Sequence, residues 1–584
     1  MTTAELPPGW PAMSIAQAHA LIGGPGLPTE IATETIRGVE LKVWKNQPAS
    51  LRAVADAAKA HGDKVFLVYE DERVTYDAFH RATAAFAAEL RAKGVAKGDR
   101  VAVVMRNVPE WAVAFYGAAA LGAVVTPLNA WWTGPELEYG MTDSGAKIAV
   151  MDAERYGRLV EHLPNCPDLK RVYVSREPGE IAHPDVSRLE DVLGKPETWA
   201  TLPDRPFPEA EVGPEDDATI FYTSGTTGKP KGAVATNRAV NCNILTAGAA
   251  GARAFLRKGE MPPAPDPSAP QKSALLSVPF FHVTGCFAVL NPTVFTGGKL
   301  VLMFKWEPIR AFELIEREKV TTAGGVPTIA WQLIEHPARA NYDLSSLEGV
   351  SYGGAPSAPE LVRRLREVFP KSQPGQGWGM TETCATVTSN GAEDYVNRPD
   401  SCGPAAAVAE LQIRDPGDGV TVLAAGEVGE LWSKGPMNAR AYWNKPEATA
   451  QTFVDGWVRT GDLARLDEEG FCFIIDRAKD MLIRGGENIY CVEVENVLYD
   501  HPAVMDAAVV ARPHRILGEE PAAVVTLKPG TTATEAELRA HVAERLAAFK
   551  VPVEVRFFTE TLPRNANGKI LKSELKKLFE GEPA

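Results

Sequence analysis

A chain of 584 residues is longer than one hydrophobic core usually organises, so two or more domains are expected. With 45% hydrophobic and 23% charged residues, the composition is that of a globular protein and excludes a disordered or fibrous one. The formal net charge of −14 excludes a nucleic-acid surface as the main business, though not a local basic pocket for a small anion.

The first residues (Met-Thr-Thr-Ala-Glu-Leu-Pro-Pro) carry neither a basic stretch nor an apolar one, so no secretory signal is read, and the final Gly-Glu-Pro-Ala is not a peroxisomal address. Apolar runs such as Trp111–Leu128 are broken by glycine and too short for a membrane span, which leaves peripheral contact as the only membrane association. A cytoplasmic monomer or homodimer is the expectation. Seven scattered cysteines (166, 242, 286, 384, 402, 472, 491) without Cys-x-x-Cys spacing suit a reducing compartment and argue against disulfides or structural zinc. Cys286 and Cys384, although beside motifs, read as packing residues.

Residues 1–50, rich in Pro and Gly, read as an irregular tail. Helical spacing of Phe79, Phe86 and Leu90 predicts a helix over Asp77–Lys93, and the apolar run Val101–Met105 a buried strand. Glu110–Leu121 reads as helix and Ala123–Leu128 as strand; repeated strand–helix–strand patterning implies a largely parallel sheet covered on both faces. Proline density makes 259–271 an exposed loop, and Gly403–Phe453 reads as a small β-rich subdomain. The pattern restarts after Asp476–Asp480: Glu493–His501 helix, Val504–Ala511 and Ala522–Lys528 strands, Thr534–Leu546 helix with a Thr534/Glu537 capping box. The fold class is therefore α/β: a large multi-layer domain over 51–475 with parallel-rich sheets and a β-rich subdomain, then a small α+β domain over 481–584.

The most informative run is 222–232, Tyr-Thr-Ser-Gly-Thr-Thr-Gly-Lys-Pro-Lys-Gly. Glycines allow successive N–H groups to face one concavity, hydroxyls donate to phosphate oxygens, and Lys229 and Lys231 supply positive charge. It differs from a Walker loop, because Gly225 and Gly228 are too close and Pro230 follows Lys229. The run is similar to the phosphate-binding signature of AMP-forming adenylating enzymes: acyl-CoA synthetases, peptide-synthetase adenylation domains and beetle luciferases. Five further motifs follow in that family's order, through Pro563-Arg564-Asn565-Ala566-Asn567-Gly568-Lys569.

The resemblance implies ATP, Mg²⁺ and coenzyme A as reactants and cofactors, and it assigns roles residue by residue. Thr223, Ser224, Gly225, Thr226, Thr227, Gly228, Lys229 and Lys231 would cradle the phosphates. In Pro279–Gly285, His282 would lie beside the acyl carboxylate. Gly353, Gly354, Ala355 and Pro356 would line the adenine and acyl pockets, with Gly377 and Trp378 offering a face for adenine. Thr381 would reach the α-phosphate, while Glu382, a hard oxygen ligand, and Thr223 would hold Mg²⁺. Asp462 would accept from both ribose hydroxyls and Arg477 would also touch the ribose. Lys479 would be the hinge of a mobile small domain (hinge segment 476–480), Gly486 would clear the pantetheine path, and Lys569 would drive adenylation. The catalytic set is thus Lys569, His282, Thr223 and Glu382. An acyl pocket around Phe281, His282, Trp331, Gly353 and Trp378 is largely apolar, favouring a fatty or aryl acid over an amino acid.

The implied function is attack of a carboxylate on ATP, giving acyl-AMP and pyrophosphate, then transfer to a thiol with release of AMP. With 15 residues after Lys569, free coenzyme A is the favoured thiol; a stand-alone ligase that loads a carrier protein is the alternative. A non-catalytic binding module is disfavoured because Lys569, Glu382, Asp462 and Arg477 are all present.

Overall fold

The computed structural model describes residues 9–223, 229–264, 266, 268–354, 357–478, 480–485, 487–565 and 568–579. Two eight-stranded sheets dominate the large domain. The first runs in the order Ala441–Tyr442, Gly232–Thr236, Asp217–Tyr222, Val124–Pro127, Arg100–Val104, Ile148–Asp152, Arg171–Ser175, Val186–Arg188. It is parallel from Asp217–Tyr222 to its far edge. The second runs Thr388–Gly391, Gln373–Trp378, Gly349–Gly353, Thr322–Gly325, Ser273–Leu276, Lys299–Leu302, Val65–Tyr69, Glu72–Thr75, and is parallel except at its two edges.

Helices Tyr76–Ala92 and Pro109–Ala119 pack between strands of both sheets in one continuous core that includes Phe79, Phe86, Trp111, Val101 and Leu300. Pro109–Ala119 is buried on every side, which is why its sequence is apolar all round rather than striped. A third, antiparallel sheet of six strands lies within Gly403–Arg477. The small domain folds Val504–His514 and Gly518–Leu527 into a long hairpin, backed by helices Cys491–Tyr499 and Glu535–Ala543. Thr534 and Glu537 form the expected capping box.

The first 50 residues correct the sequence reading. They contain helix Ile15–Ile22 and the hairpin Ile31–Ile36/Val39–Trp44, not an irregular tail. Positive φ at both Arg37 (48°) and Gly38 (80°) gives the two-residue turn that suits strand twist, although Arg-Gly lacks the usual Asn-Gly signal. Trp44, Ala18 and Ile22 pack on helix Asn237–Arg257, and the Trp44 indole donates to Thr246 Oγ1 at 3.1 Å. This segment therefore braces the helix that follows the phosphate-loop motif.

Candidate active site

Several of the expected site residues lie at the C-terminal ends of strands, where open α/β sheets hold ligands: Thr223 follows Asp217–Tyr222, and Gly353 and Trp378 end Gly349–Gly353 and Gln373–Trp378. Ser224, Gly225, Thr226, Thr227, Gly228, Ala355, Pro356, Lys479 and Gly486 lie outside the described residues. The two ends of the phosphate-loop run are closed by Thr223 N–H donating to Lys231 O at 2.9 Å. Lys231 Nζ sits 4.3 Å over the Tyr442 ring, and Lys229 Nζ 4.8 Å over that of Tyr139. The Tyr139 hydroxyl in turn donates to Pro230 O at 2.9 Å. Each lysine thus rests on an aromatic face that orients its ammonium without neutralising it.

Tyr442 also joins the loop to Glu382: its hydroxyl donates to Glu382 Oε1 at 2.5 Å. Burial and then the Glu382 charge push the Tyr442 phenol well above its ordinary value, so it stays a donor. Glu382 is buried, and its Oε2 makes no hydrogen bond to a described residue. One open carboxylate oxygen fits the way Mg²⁺ is held with nucleotide phosphates, by one or two carboxylates and otherwise by phosphate and water.

After Glu382 the backbone turns through two non-glycine residues of positive φ, Cys384 (47°) and Ala385 (83°). Such strain persists only where surroundings impose it. Asn243, from helix Asn237–Arg257, does so: its Nδ2 donates to Cys384 O at 2.6 Å and its Oδ1 accepts Thr386 N–H at 3.1 Å. Gly379 is required beneath this corner, since a Cβ there would lie 1.4 Å from Ala385 O.

Trp378 and Asp462 are bonded to each other. The indole N–H donates to Asp462 Oδ2 at 2.8 Å, and Arg477 Nε meets Oδ1 at 2.7 Å. Both oxygens of the expected ribose acceptor therefore already have protein partners, leaving about two of a carboxylate's four acceptor directions for a ligand. Gly353 pairs in register with Gly377, and a Cβ on Gly353 would stand 2.7 Å from Gly377 O.

His282 follows strand Ser273–Leu276 and begins the turn into the helical segment Thr284–Leu290. Asn107 fixes that turn, accepting Phe280 N–H at 2.9 Å and donating to Val278 O at 3.1 Å. Burial lowers the His282 imidazole to about 3, so it is neutral, and its buried Nε2 has no partner among the described residues. A neutral ring with an uncommitted nitrogen is suited to one hydrogen bond with a carboxyl group. Cys286 and Cys384 are buried thiols whose pKa burial raises, as packing residues should be.

The small domain meets this site. The turn around Lys569 is held by Asn565 N–H donating to Lys569 O (2.9 Å), by Lys569 N–H donating to Asn565 Oδ1 (3.0 Å), and by an ion pair of Arg564 with Asp506. Gly568, at φ 73°, lies against Val326, at the end of the strand next to Gly349–Gly353. Trp331 packs in the second core with Ile329 and Leu333, and Lys528 Nζ of the small domain lies 5.5 Å over its ring, so it also makes a contact between the domains. Tyr442, Tyr139, Asn107 and Asn243 escaped the sequence reading because their roles depend on long-range contacts; only Tyr442 gave a local cue, as an aromatic in a short strand.

At the domain junction, Asp476 accepts N–H bonds from Arg477 (2.8 Å) and Cys491 (2.5 Å), beside the Lys572–Glu495 ion pair (2.7 Å). Burial, reinforced by Glu495 and opposed by Lys572 and both N–H donors, pushes the Asp476 carboxyl from 3.8 up to about 6. Between those values the folded chain keeps a proton that the unfolded chain has lost, so this group's stabilisation is complete below about pH 4 and lost as pH rises through 6. Asp476→Asn is expected to flatten that limb, narrowing the stability difference from the parent by about 2 kcal/mol between pH 4.5 and 7. Denaturation midpoints across that range measure it; a difference independent of pH would mean the carboxyl titrates normally.

Residues 54–443 match the AMP-binding enzyme family and residues 493–569 its C-terminal domain. The chain belongs to this family. It is similar to a feruloyl-CoA synthase of Amycolatopsis sp (35% identical, covering 87% of this chain and 94% of that protein). It is also similar to a long-chain-fatty-acid–CoA ligase of Bacillus subtilis strain 168 (32% identical, covering 89% and 93%). Among solved structures, an anthranilate CoA ligase in complex with anthranoyl-AMP superposes with a TM-score of 0.78 (26% identical, 90% of this chain and 97% of that one). ATP-bound MatB from Rhodopseudomonas palustris gives 0.76 (28% identical, 90% and 99%). This synthetase is thus an AMP-forming acid–CoA ligase, which joins a carboxylic acid to coenzyme A through an acyl-adenylate. Among the described residues, no helix is long and apolar enough to cross a membrane.

Proposed function

We propose that the adenylating centre is the space bounded by the phosphate-loop run, Glu382, the Trp378–Asp462 pair, His282 and the Lys569 turn, and that it activates a predominantly apolar fatty or aryl acid. The observation that carries this reading is the convergence of Lys231 and Glu382 on Tyr442 in the first sheet, together with the docking of the Lys569 turn on Val326, at the end of the strand of the second sheet that neighbours Gly349–Gly353. In this reading Thr223, Lys229 and Lys231 bind the phosphates with residues 224–228. Asp462 and Arg477 take the ribose, and Trp378 and residues 353–356 take the adenine. His282 orients the acyl carboxylate while Lys569 holds it against the α-phosphate, stabilising charge that builds in the displacement. Glu382 and Thr223 would hold Mg²⁺, which supplies charge neutralisation to the phosphates when bound.

The second half-reaction calls for the small domain, over 481–584, to turn about the 476–480 segment, withdrawing Lys569 and bringing the Gly486 segment to the thiol path. The docked Lys569 turn supports assigning the arrangement described above to the adenylating state. Pyrophosphate release with a panel of fatty, aryl and amino acids tests the activity and its acid class. Glu382→Ala is expected to weaken MgATP use about tenfold or more, with partial recovery at high Mg²⁺, because mass action offsets a lost ligand. An unchanged Mg²⁺ dependence would remove Glu382 from the metal site.

A further inference from the structure

Helix Gly134–Ser144 carries Tyr139 and Asp143 at positions i and i+4, which places them on one face, and that face meets both flanks of the phosphate-loop run. On the entry side, the Tyr222 hydroxyl donates to Asp143 Oδ2 at 2.8 Å. On the exit side, the Tyr139 hydroxyl donates to Pro230 O at 2.9 Å, and its ring lies beneath Lys229 Nζ. Pro230 has no N–H, so its carbonyl is the one main-chain group by which that residue can be held. The Tyr139 and Tyr222 rings meet edge to face, with centroids 6.4 Å apart, and so join the two grips.

Asp143 ties this face to the rest of the centre. Its Oδ1 pairs with Lys445 Nζ at 2.9 Å, and its main-chain O accepts from the Trp443 indole N–H at 3.1 Å. Trp443 and Lys445 follow closely on Tyr442, where Lys231 and Glu382 converge. The Trp443 main-chain N–H also donates to Gly232 O at 2.7 Å, where the run re-enters the first sheet opposite Tyr222. The Asp143 side chain is only 9% exposed, and a buried carboxylate facing a phosphate site would repel the ligand unless a cation neutralised it; Lys445 does so. Lys229 and Lys231, by contrast, make no ion pair with a described residue, so their charge is left for an anion. Burial and then the Asp143 charge push the Tyr139 phenol up to about 12, which keeps it a donor at neutral pH.

Displacement at a phosphoryl group rests on positioning and charge more than on covalent help, so whatever fixes the phosphate run acts on that step. Building on the proposed adenylating centre, we infer that Tyr139 and Asp143 are positioning residues for adenylation: from one helix face they clamp both flanks of the phosphate-loop run and set where Lys229 meets the triphosphate of ATP. They act through Tyr222, Pro230 and Lys229 rather than on the reacting atoms. Thioester formation from acyl-AMP, which carries no β- or γ-phosphate, is outside their reach.

The test uses the full-length enzyme with an acid that releases pyrophosphate. Tyr139→Phe keeps the ring beneath Lys229 and removes the hydroxyl, Tyr139→Leu removes both, and Asp143→Asn takes away the charge that pairs with Lys445. Each is expected to raise the Kd for ATP, measured by calorimetry, and the KM for ATP by about three- to tenfold, the Leu variant most, because one net hydrogen bond is worth about that factor. The KM for the acid, and single-turnover AMP release from synthetic acyl-AMP with coenzyme A, should stay within about twofold of the parent. Tyr139 is half-buried, so its Phe variant decides the matter should Asp143→Asn fail to fold. Parental ATP affinity in both Tyr139 variants overturns the inference, as do equal losses in the two half-reactions, which would make the helix face structural. Lys231→Ala separates the two levels of the argument. If its ATP Kd rises while the Tyr139 variants match the parent, this inference falls and the proposed centre stands; parental ATP binding in Lys231→Ala as well would overturn both.

Discussion

Lys569→Ala is expected to slow acyl-adenylate formation by about 10²–10³-fold, equivalent to about 3–4 kcal/mol, and to leave thioester formation from synthetic acyl-AMP within a few-fold of the parent. The separation follows from how the turn is built. Its hydrogen bonds run from Asn565 to the main chain of Lys569, and its anchor is the Arg564–Asp506 ion pair, with Asp506 also held by the Tyr499 hydroxyl at 2.7 Å. These contacts use the Lys569 main chain and neighbouring side chains, which truncation at Cβ leaves in place while it removes a charge and three donors. ATP–pyrophosphate exchange reports the first half-reaction, and single-turnover release of AMP from acyl-AMP with coenzyme A reports the second. Equal losses in the two assays would make Lys569 structural.

Much of the fold was legible because it rests on local pattern. The apolar stripe of Tyr76–Ala92, the buried run Arg100–Val104 and the Thr534/Glu537 capping box each declare themselves within about one turn or strand of sequence. The N-terminal hairpin was not legible, because an Arg-Gly turn relies on a tolerated positive φ at Arg37 and on Trp44 finding a long helix far along the chain. The same divide runs through the candidate site. Glycines and charged residues in short motifs could be named in advance, since each motif carries its own chemistry. What holds them could not. Tyr442 reaches Glu382 across 60 residues and Asn243 reaches Cys384 across 141, and no local signal links them. Trp378 shows the limit from the other side: its ring could be assigned to adenine from sequence, but not the donation of its indole N–H to Asp462.

Docking of the small domain gives the second large effect. Gly568→Val is expected to depress adenylation by about 10- to 100-fold while sparing transfer from acyl-AMP. Gly568 sits at φ 73°, where a β-branched residue is strained by about 1–2 kcal/mol, and its Cβ would lie 2.7 Å from Val326 Cγ2 and 3.4 Å from Cγ1. Both penalties fall on the docked turn. In the rotated arrangement proposed for thiol transfer the Val326 clash would be absent and only the backbone strain would remain. The steric part can be isolated with the smaller change Gly568→Ala in combination with Val326→Ala, which removes the opposing methyls. Because the two residues touch, their effects on pyrophosphate exchange should be non-additive, the double variant recovering part of the loss seen in Gly568→Ala alone. Backbone strain at position 568 persists in both, so recovery stays incomplete. Strictly additive losses would mean that the Gly568–Val326 contact does not form in the adenylating state, and that the turn carrying Lys569 reaches the α-phosphate by another approach.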